Sequence, residues 1–339
     1  MKYFSNLDSI RSHPLPKWYD DCKLGIFIHW GLYSVPAFAP KSGQLGTIEL
    51  DERWFANNPY AEWYYNSVKI GHGPSYDYHV NTYGKDFAYE GFADMWKAEH
   101  FDPQSWAKLF KKAGAGYVVL TTKHHDGFAL WPSEYGDFNT KQMLGGRDLV
   151  GEFVQACRRN HLRVGLYYSP PDWHMEQDYM SFARDEQVGI DFEPREPKEM
   201  TPEFVEAERA YRRGQIIELL TRYGQIDMFW FDGSCNMAVT PEEVRALQPA
   251  ILCNDRGWGY GDFVCPECSF PSTRPRGRFQ YIHCLSDGGW GYNDYEIYRP
   301  AGWMIGELGK ARSWGGHFVA NVGPRADGTL PEIYYYRMK

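Results

Sequence analysis

Short apolar segments, each of strand length and each closing on a polar or aromatic group, recur along this chain with helix-length stretches between them. Residues 23–31, 117–122, 163–169, 225–233 and 250–254 are such segments. They are near-continuous apolar runs rather than alternating ones, the pattern of parallel strands buried on both faces. Helix signals separate them. Asp102-Pro103 offers an N-cap and a first-turn proline ahead of Trp106, Leu109, Phe110 and Ala113, with Gly114 as the stop. Asp148–Arg159 reads as a second helix and Thr201 to about Arg222 as a third. Thr240-Pro241-Glu242-Glu243 is a capping box that opens a fourth. Later strands are best placed at Phe279–His283 and His317–Val322, with a helix over Trp303–Arg312 between them.

Strands that alternate with helices make a parallel sheet. This many units predict an α/β fold of the (β/α)8 type, a TIM-like barrel with irregularities, as one domain over residues 1–339. A doubly wound open sheet is the runner-up, but no glycine-rich phosphate loop follows the first strand. Residues 36–100 are rich in Pro, Gly and Tyr and weakly periodic, which predicts a functional loop region after the first strand.

Composition removes several functions. The net charge is −8 with no basic run, which argues against a nucleic acid or an anionic membrane as partner. No apolar run reaches membrane length. The first residues, Met1 to Asn6, are no secretory leader, so the chain as it stands reads as cytoplasmic; it would be secreted or periplasmic if a leader had been removed. Seven scattered cysteines fit reduced thiols, and the one C-x-x-C, Cys265 and Cys268, lacks the second pair of a zinc site. The 13 Trp and 25 Tyr suit either an aromatic core or stacking on sugar faces, and composition by itself favours the core. Oligomeric state is not legible.

The strand ends carry the chemistry. The first bears His29 and Trp30, the second His124 and His125, the third Tyr167 and Tyr168. The fourth bears Trp230 and Asp232, and the fifth Asp255 and Arg256. In a barrel these positions converge on one mouth. Three chemistries could use them. A metal-dependent hydrolase would ligate through His29, His124, His125 and Asp232, though neighbouring histidines on a strand face opposite ways and carboxylates are few. A glycoside hydrolase needs two carboxylates among aromatic surfaces and neutral hydroxyl-binding groups. A sugar-binding barrel without turnover would keep the pocket and lack the second carboxylate.

The motifs along the chain resemble those of the α-L-fucosidases of glycoside hydrolase family 29. The matching pieces are Trp18-Tyr19 with Lys23–Gly31, Glu62-Trp63-Tyr64, Phe101-Asp102-Pro103 with Trp106, and Lys123–Phe128. They continue with Arg147–Val150, Tyr167-Tyr168-Ser169, Trp230–Gly233, Asn254-Asp255-Arg256, Trp290-Gly291-Tyr292 and Asn321–Pro324. They run in order from about residue 15 to 330. The resemblance implies a retaining double displacement with no cofactor and no metal, acting on a fucosylated oligosaccharide or glycoconjugate. It implies that Asp232 is the nucleophile and that His29, Trp30, Glu62, Trp63, His124, His125, Tyr167, Trp230 and Arg256 hold the sugar, with Tyr168 a close competitor of Tyr167. Trp290 matches an aromatic that packs against the fucose methyl. The family often carries a C-terminal β-sandwich, which this chain is expected to lack.

The proton donor lies on a variable loop in this family. Gly261–Glu267 resembles the segment that carries it, so Glu267 is the expected acid/base. A second family pattern would place a glutamate at position 280, where this chain has Gln280, which cannot donate a proton as an acid. If the acid belonged there, the chain would be an impaired, fucose-binding barrel. Glu296 is a third candidate. Linkage preference is expected to reside in the loops around 36–100 and 174–200.

Overall fold

The computed structural model describes residues 13–43, 53–176, 200–235 and 238–339. The N-terminal residues 1–12 and most of the expected insert, 177–199, lie outside that set. Among the described residues, seven parallel strands form a single sheet: β1 (Leu24–Ile28), β2 (Tyr117–Lys123), β3 (Arg163–Tyr168), β4 (Met228–Phe231), β5 (Leu252–Cys253), β6 (Gln280–Cys284) and β7 (His317–Val322). Their order in the sheet is β5-β4-β3-β2-β1-β7-β6, so neighbours follow the chain except where β7 closes back on β1. Among the described helices, five lead directly into the next strand: α1 (Pro103–Lys112), α2 (Leu149–Arg159), α3 (Pro202–Thr221), α4 (Pro241–Leu247) and α5 (Ala301–Ser313). Their starts are made as the sequence predicts. Asp102 accepts from the Gln104 and Ser105 amides, Thr201 from Phe204, and Thr240 and Glu243 complete a reciprocal capping box.

The expected irregular barrel is met in outline: among the described residues there are seven strands, and one irregular segment lies where an eighth would stand. Between β5 and β6 the chain passes through Phe263–Glu267, which makes single parallel bridges: Phe263 to Asn254 on one side, Val264 to Phe279 and Glu267 to Ile282 on the other. The sheet therefore curls round until this segment spans its two edges. The expected strand 250–254 shrinks to two residues, Leu252 and Cys253, which pair with Met228 and Phe229 of β4.

Alternation along each strand divides the apolar residues between two cores. Phe27, Tyr117, Val119, Tyr167, Met228, Trp230, Leu252, Ile282 and Val319 fill the inside of the curl. Ile26, Ile28, Val118, Leu120, Val164, Leu166, Phe229 and Phe231 face the helices. Residues 36–100 hold no strand where described; they form short helices, the longest of them Pro74–Tyr83, joined by loops. No described helix is long and apolar enough to cross a membrane.

Candidate active site

The carboxyl ends of the strands surround a cavity of about 580 Å³, counting its open mouth. β4 ends at Phe231, and Asp232 is the next residue. Its amide donates to Tyr168 O at 3.0 Å, which holds the carboxylate at the rim of the sheet. The turn after it requires glycine. Gly233 has φ +131°, and a Cβ there would lie 2.7 Å from Pro171 Cδ.

Two groups grip Asp232. Arg256 Nη1 donates to Oδ1 at 2.7 Å and the Tyr167 hydroxyl donates to Oδ2 at 2.7 Å. Burial alone would raise the Asp232 pKa, but the guanidinium charge of Arg256 and the Tyr167 hydrogen bond hold it near 2. Asp232 is thus ionised throughout the ordinary pH range. Arg256 turns its other terminal nitrogen, Nη2, to Glu267. One guanidinium therefore holds both carboxylates across the cavity, and its own face lies 4.7 Å from the centre of the Trp230 ring. The pKa of Glu267 is shifted upward, first by burial and also by the charge of Asp232, against the pull of Arg256. The two carboxyl groups are pushed apart in acidity by their surroundings, as an anionic group and a proton carrier require.

The three cavity histidines are neutral, and the hydrogens of two of them can be placed. Burial lowers His29 to about 3 and His125 to about 4, and it takes His124 well below the usual histidine value. Asn321 Nδ2 donates to Trp290 O at 2.6 Å, so its Oδ1, 2.7 Å from His29 Nδ1, must accept. His29 therefore carries its hydrogen on Nδ1 and presents a bare Nε2. Likewise the Ser169 hydroxyl donates to Pro171 O at 2.7 Å, so its oxygen accepts from His125 Nδ1 at 2.5 Å. His125 Nε2 then faces Asp232 Oδ2 at 3.5 Å as an acceptor. His124 Nδ1 and Trp230 Nε1 are buried with no protein partner, although both rings line the cavity. A wall of acceptors and unsatisfied polar atoms between aromatic rings suits a ligand dense in hydroxyl groups.

Both histidines of the adjacent pair reach the cavity because β2 ends at Lys123, before the strand alternation can separate them. A buried ion pair braces their turn. Lys123 Nζ lies 2.7 Å from Asp172 Oδ2, and Tyr211 donates to the same oxygen at 2.8 Å. The Trp173 amide donates to His125 O at 2.7 Å. Gly127, at φ +89°, leaves room for this carboxylate: a Cβ there would sit 2.3 Å from Asp172 Oδ1. Ser169→Ala should lower kcat/KM about tenfold, since His125 would then be free to move its hydrogen to Nε2 and bond Asp232 directly. The kcat/KM pH profile checks this. A merely structural effect would scale it without altering its shape.

Glu62 lies on a short 3-10 turn in the loop region and is buried. It accepts from the Trp290 amide at 3.2 Å and the Gly291 amide at 2.8 Å, and burial raises its pKa to about 7. Trp63 packs edge-on to His125 at 5.9 Å, and Trp290 lies 5.3 Å from His29. Tyr167 stacks on His124 at 5.6 Å with rings 4° from parallel.

Trp30 is the exception among the candidates. It points outward, packs on Trp96, Phe101 and Trp106, and donates to Arg325 O at 2.8 Å. The expectation that it lines the sugar pocket is corrected: the residue after inward-facing His29 turns to the other face of the sheet. The same alternation separates the tyrosine pair. Tyr168 faces outward and donates to Gln215 Oε1 at 3.0 Å.

Gln280 lies far from the mouth. It opens β6 and pairs in register with His317, whereas the cavity reaches β6 at Ile282, and Cys284 pairs with the Asn321 that holds His29. Four residues of strand put Gln280 roughly 13 Å below Cys284. Its amide nitrogen contacts Tyr19 Oη at 3.4 Å and Met228 Sδ at 3.5 Å. Gln280→Glu should therefore bring no gain in activity and should cost about 2 kcal/mol or more of stability by burying a carboxyl. Melting and turnover of the variant measure both. Glu296 also lies outside the cavity, in a neighbouring cleft. Phe27, Tyr60 and Ile282 line the cavity and were not among the candidates. Phe27, two residues before His29 on the same face, could have been found by strand alternation; Tyr60 and Ile282 carried no comparable signal.

His124, His125 and Asp232 present ligand atoms within 4.8 Å of one another, the one such group among the described residues. They fit a metal ion poorly. Both oxygens of Asp232 are engaged by Tyr167 and Arg256, and a bound cation would sit against a fixed guanidinium.

Residues 1–339 match the family model described as alpha-L-fucosidase. The tissue alpha-L-fucosidase of Bos taurus is 32% identical over 99% of this chain and 68% of its own length. An alpha-L-fucosidase of Dictyostelium discoideum is 32% identical over 97% of this chain and 69% of its own. Among solved structures, the alpha-fucosidase of Thermotoga maritima in complex with fucose superposes with a TM-score of 0.82 at 37% identity, covering 99% of this chain and 75% of that one. A second alpha-L-fucosidase structure reaches 0.86 at 38% identity, with 99% and 76% covered.

Proposed function

The chain belongs to the alpha-L-fucosidase family of glycoside hydrolases, and on that premise we propose that it is an exo-acting, retaining α-L-fucosidase that removes terminal fucose from glycans by double displacement. The observation that carries this reading is the pair Asp232 and Glu267 held by the two terminal nitrogens of Arg256. Groups one guanidinium apart are compatible with the roughly 5–5.5 Å separation of retaining enzymes, whereas inverting enzymes leave room for a water.

Asp232 attacks the anomeric carbon as the glycosidic C–O bond breaks. Its oxygens are ionised, and Arg256 and Tyr167 keep them aimed. Glu267 gives its proton to the departing oxygen, so the aglycone leaves as a neutral alcohol and fucose remains as an ester on Asp232. Glu267, now anionic, takes a proton from water as that water attacks the same carbon and releases fucose and the free Asp232 carboxylate. His29 Nε2 and His125 Nε2 accept sugar hydroxyls, Glu62 binds another, and Trp63 and Trp290 cover the apolar edges of the ring. The cavity's closed floor of Phe27, Trp230 and Ile282 admits a terminal sugar only, which supports an exo mode.

Proton NMR of the first-formed product of an aryl α-L-fucoside tests the mechanism. The α-anomer is expected, and the β-anomer would contradict double displacement. The position of Gln280, away from the mouth, takes away the reason to read the chain as an impaired binder. Full turnover in excess chelator is expected, and loss of activity that is restored by a divalent ion would instead support a metal-dependent hydrolase.

A further inference from the structure

We propose that the cleft between the loops after β1 and β6 is the subsite for the leaving group, where the sugar residue bearing the fucose stacks its ring on Tyr295. This inference rests on the fucosidase reading above and extends it to the half of the substrate that the deep cavity does not hold.

The cleft, about 630 Å³ and open to solvent, is lined by Pro40, Lys41, Pro59, Gly288, Tyr295 and Ile297, among others. It adjoins the deep cavity through two short stretches of chain. Pro59 lies in the cleft and Tyr60 in the cavity; Gly288 lies in the cleft and Trp290 in the cavity. The two walls touch where Gly289 meets Tyr60, since a Cβ on Gly289 would fall 2.7 Å from Tyr60 Cα and 3.2 Å from Glu62 Oε2. No side chain larger than hydrogen fits between cavity and cleft at that point.

The order of the strands gives the cleft its direction. Asp232 follows β4, Glu267 bridges to Ile282 of β6, and the loop 285–297 follows β6. In a displacement by Asp232 the departing oxygen leaves away from β4, on the side where Glu267 supplies the proton. That side is where the β6 loop opens. A further surface cavity, beside 255–264, runs down the flank of the sheet. Its lining includes Arg278, which precedes β6, and His13, bonded to Pro249 O ahead of β5.

The cleft's chemistry fits a pyranose. Tyr295 is 55% exposed and Ile297 65% exposed, large apolar surface for a soluble chain to leave uncovered beside a catalytic mouth. Lys41 Nζ lies 5.4 Å from the Tyr295 ring centre and steadies it on one side. Asn293 donates to Ala39 O at 3.4 Å and accepts from the Tyr295 amide at 3.0 Å, which ties the two loops together and fixes the Tyr295 backbone. Glu296 supplies a polar group: burial raises its pKa to about 8, and its Oε2 is a buried atom with no partner. An aromatic face, a polar atom and no net cluster of one charge favour a neutral hexose or N-acetylhexosamine over an anionic group.

Two substrates separate the subsite from the cavity. α-L-Fucosyl fluoride fills the cavity and carries no sugar leaving group; a fucosylated disaccharide needs both. Tyr295→Ala should lower kcat/KM for the disaccharide about five- to tenfold and leave fucosyl fluoride unchanged. Tyr295→Phe should keep disaccharide activity, because it keeps the ring. The side chain is largely exposed, so neither substitution should shift the melting temperature. An equal loss on both substrates, or no loss on the disaccharide, would overturn the subsite. Wild-type protein inactive on both would remove the fucosidase reading, and the subsite with it.

Discussion

Asp232→Ala is expected to reduce kcat on an aryl α-L-fucoside by about 10⁴-fold, about 5.4 kcal/mol of transition-state stabilisation. The loss should fall on kcat rather than KM, because the hydroxyl-binding groups stay in place. Arg256 keeps a partner in Glu267, and Tyr167 loses only its hydrogen-bond acceptor, so the fold should survive. The methyl of alanine leaves space on the face from which Asp232 would attack. Azide, a small anion drawn towards Arg256, should enter it and restore part of the turnover. The product should then be β-fucosyl azide, since a single displacement inverts the anomeric centre. Kinetics with and without azide, with the azide adduct identified by NMR, test this. A variant within tenfold of wild type would remove Asp232 from the nucleophile's role.

Glu267→Ala should divide substrates by leaving group. For a fucosylated glycan, whose alkoxide is a poor leaving group, kcat/KM should fall about 10³-fold. For fucosyl fluoride or a dinitrophenyl fucoside the fall should be about tenfold or less, because bond breaking there needs little protonation. The pH profile carries the same information. Glu267's pKa is raised, so it is protonated below that value and able to act as acid; activity is lost as pH rises through it. Glu267→Gln should abolish that alkaline limb on natural substrates. Asp232, held near 2, contributes no limb in the range where the protein is assayed. Equal losses on activated and natural substrates would place the proton donor elsewhere.

The strand ends were legible because buried parallel strands write themselves as apolar runs, and the residue after such a run in a barrel-like sheet lies at the mouth. His29, His124, Tyr167, Trp230, Asp232 and Arg256 were placed in this way and share one cavity. Trp30 was misplaced by the same reasoning, which located the strand end and ignored the alternation that turns the next side chain outward. Glu267 has no local signature. It lies on a segment joined to the sheet by single bridges, so it has neither strand period nor helix period, and only the likeness to a family segment singled it out. Gln280 misled for a related reason: a motif match gives a position along the chain, but its depth along β6 depends on register with β7. The hydrogen bond from His125 to Ser169 spans 44 residues and Arg256's double grip joins three segments. Such contacts are made by sheet order, which the sequence states only once the fold is known.

The most direct test of the central claim is mass spectrometry of peptides from protein treated with a 2-fluoro-fucosyl fluoride. The fluorine slows hydrolysis of the ester more than its formation, so the sugar should remain attached. The reading predicts one added 2-fluoro-fucosyl group, on the peptide that contains Asp232. A label on another carboxylate, or a chain that turns over fucosides yet is never labelled, would contradict it.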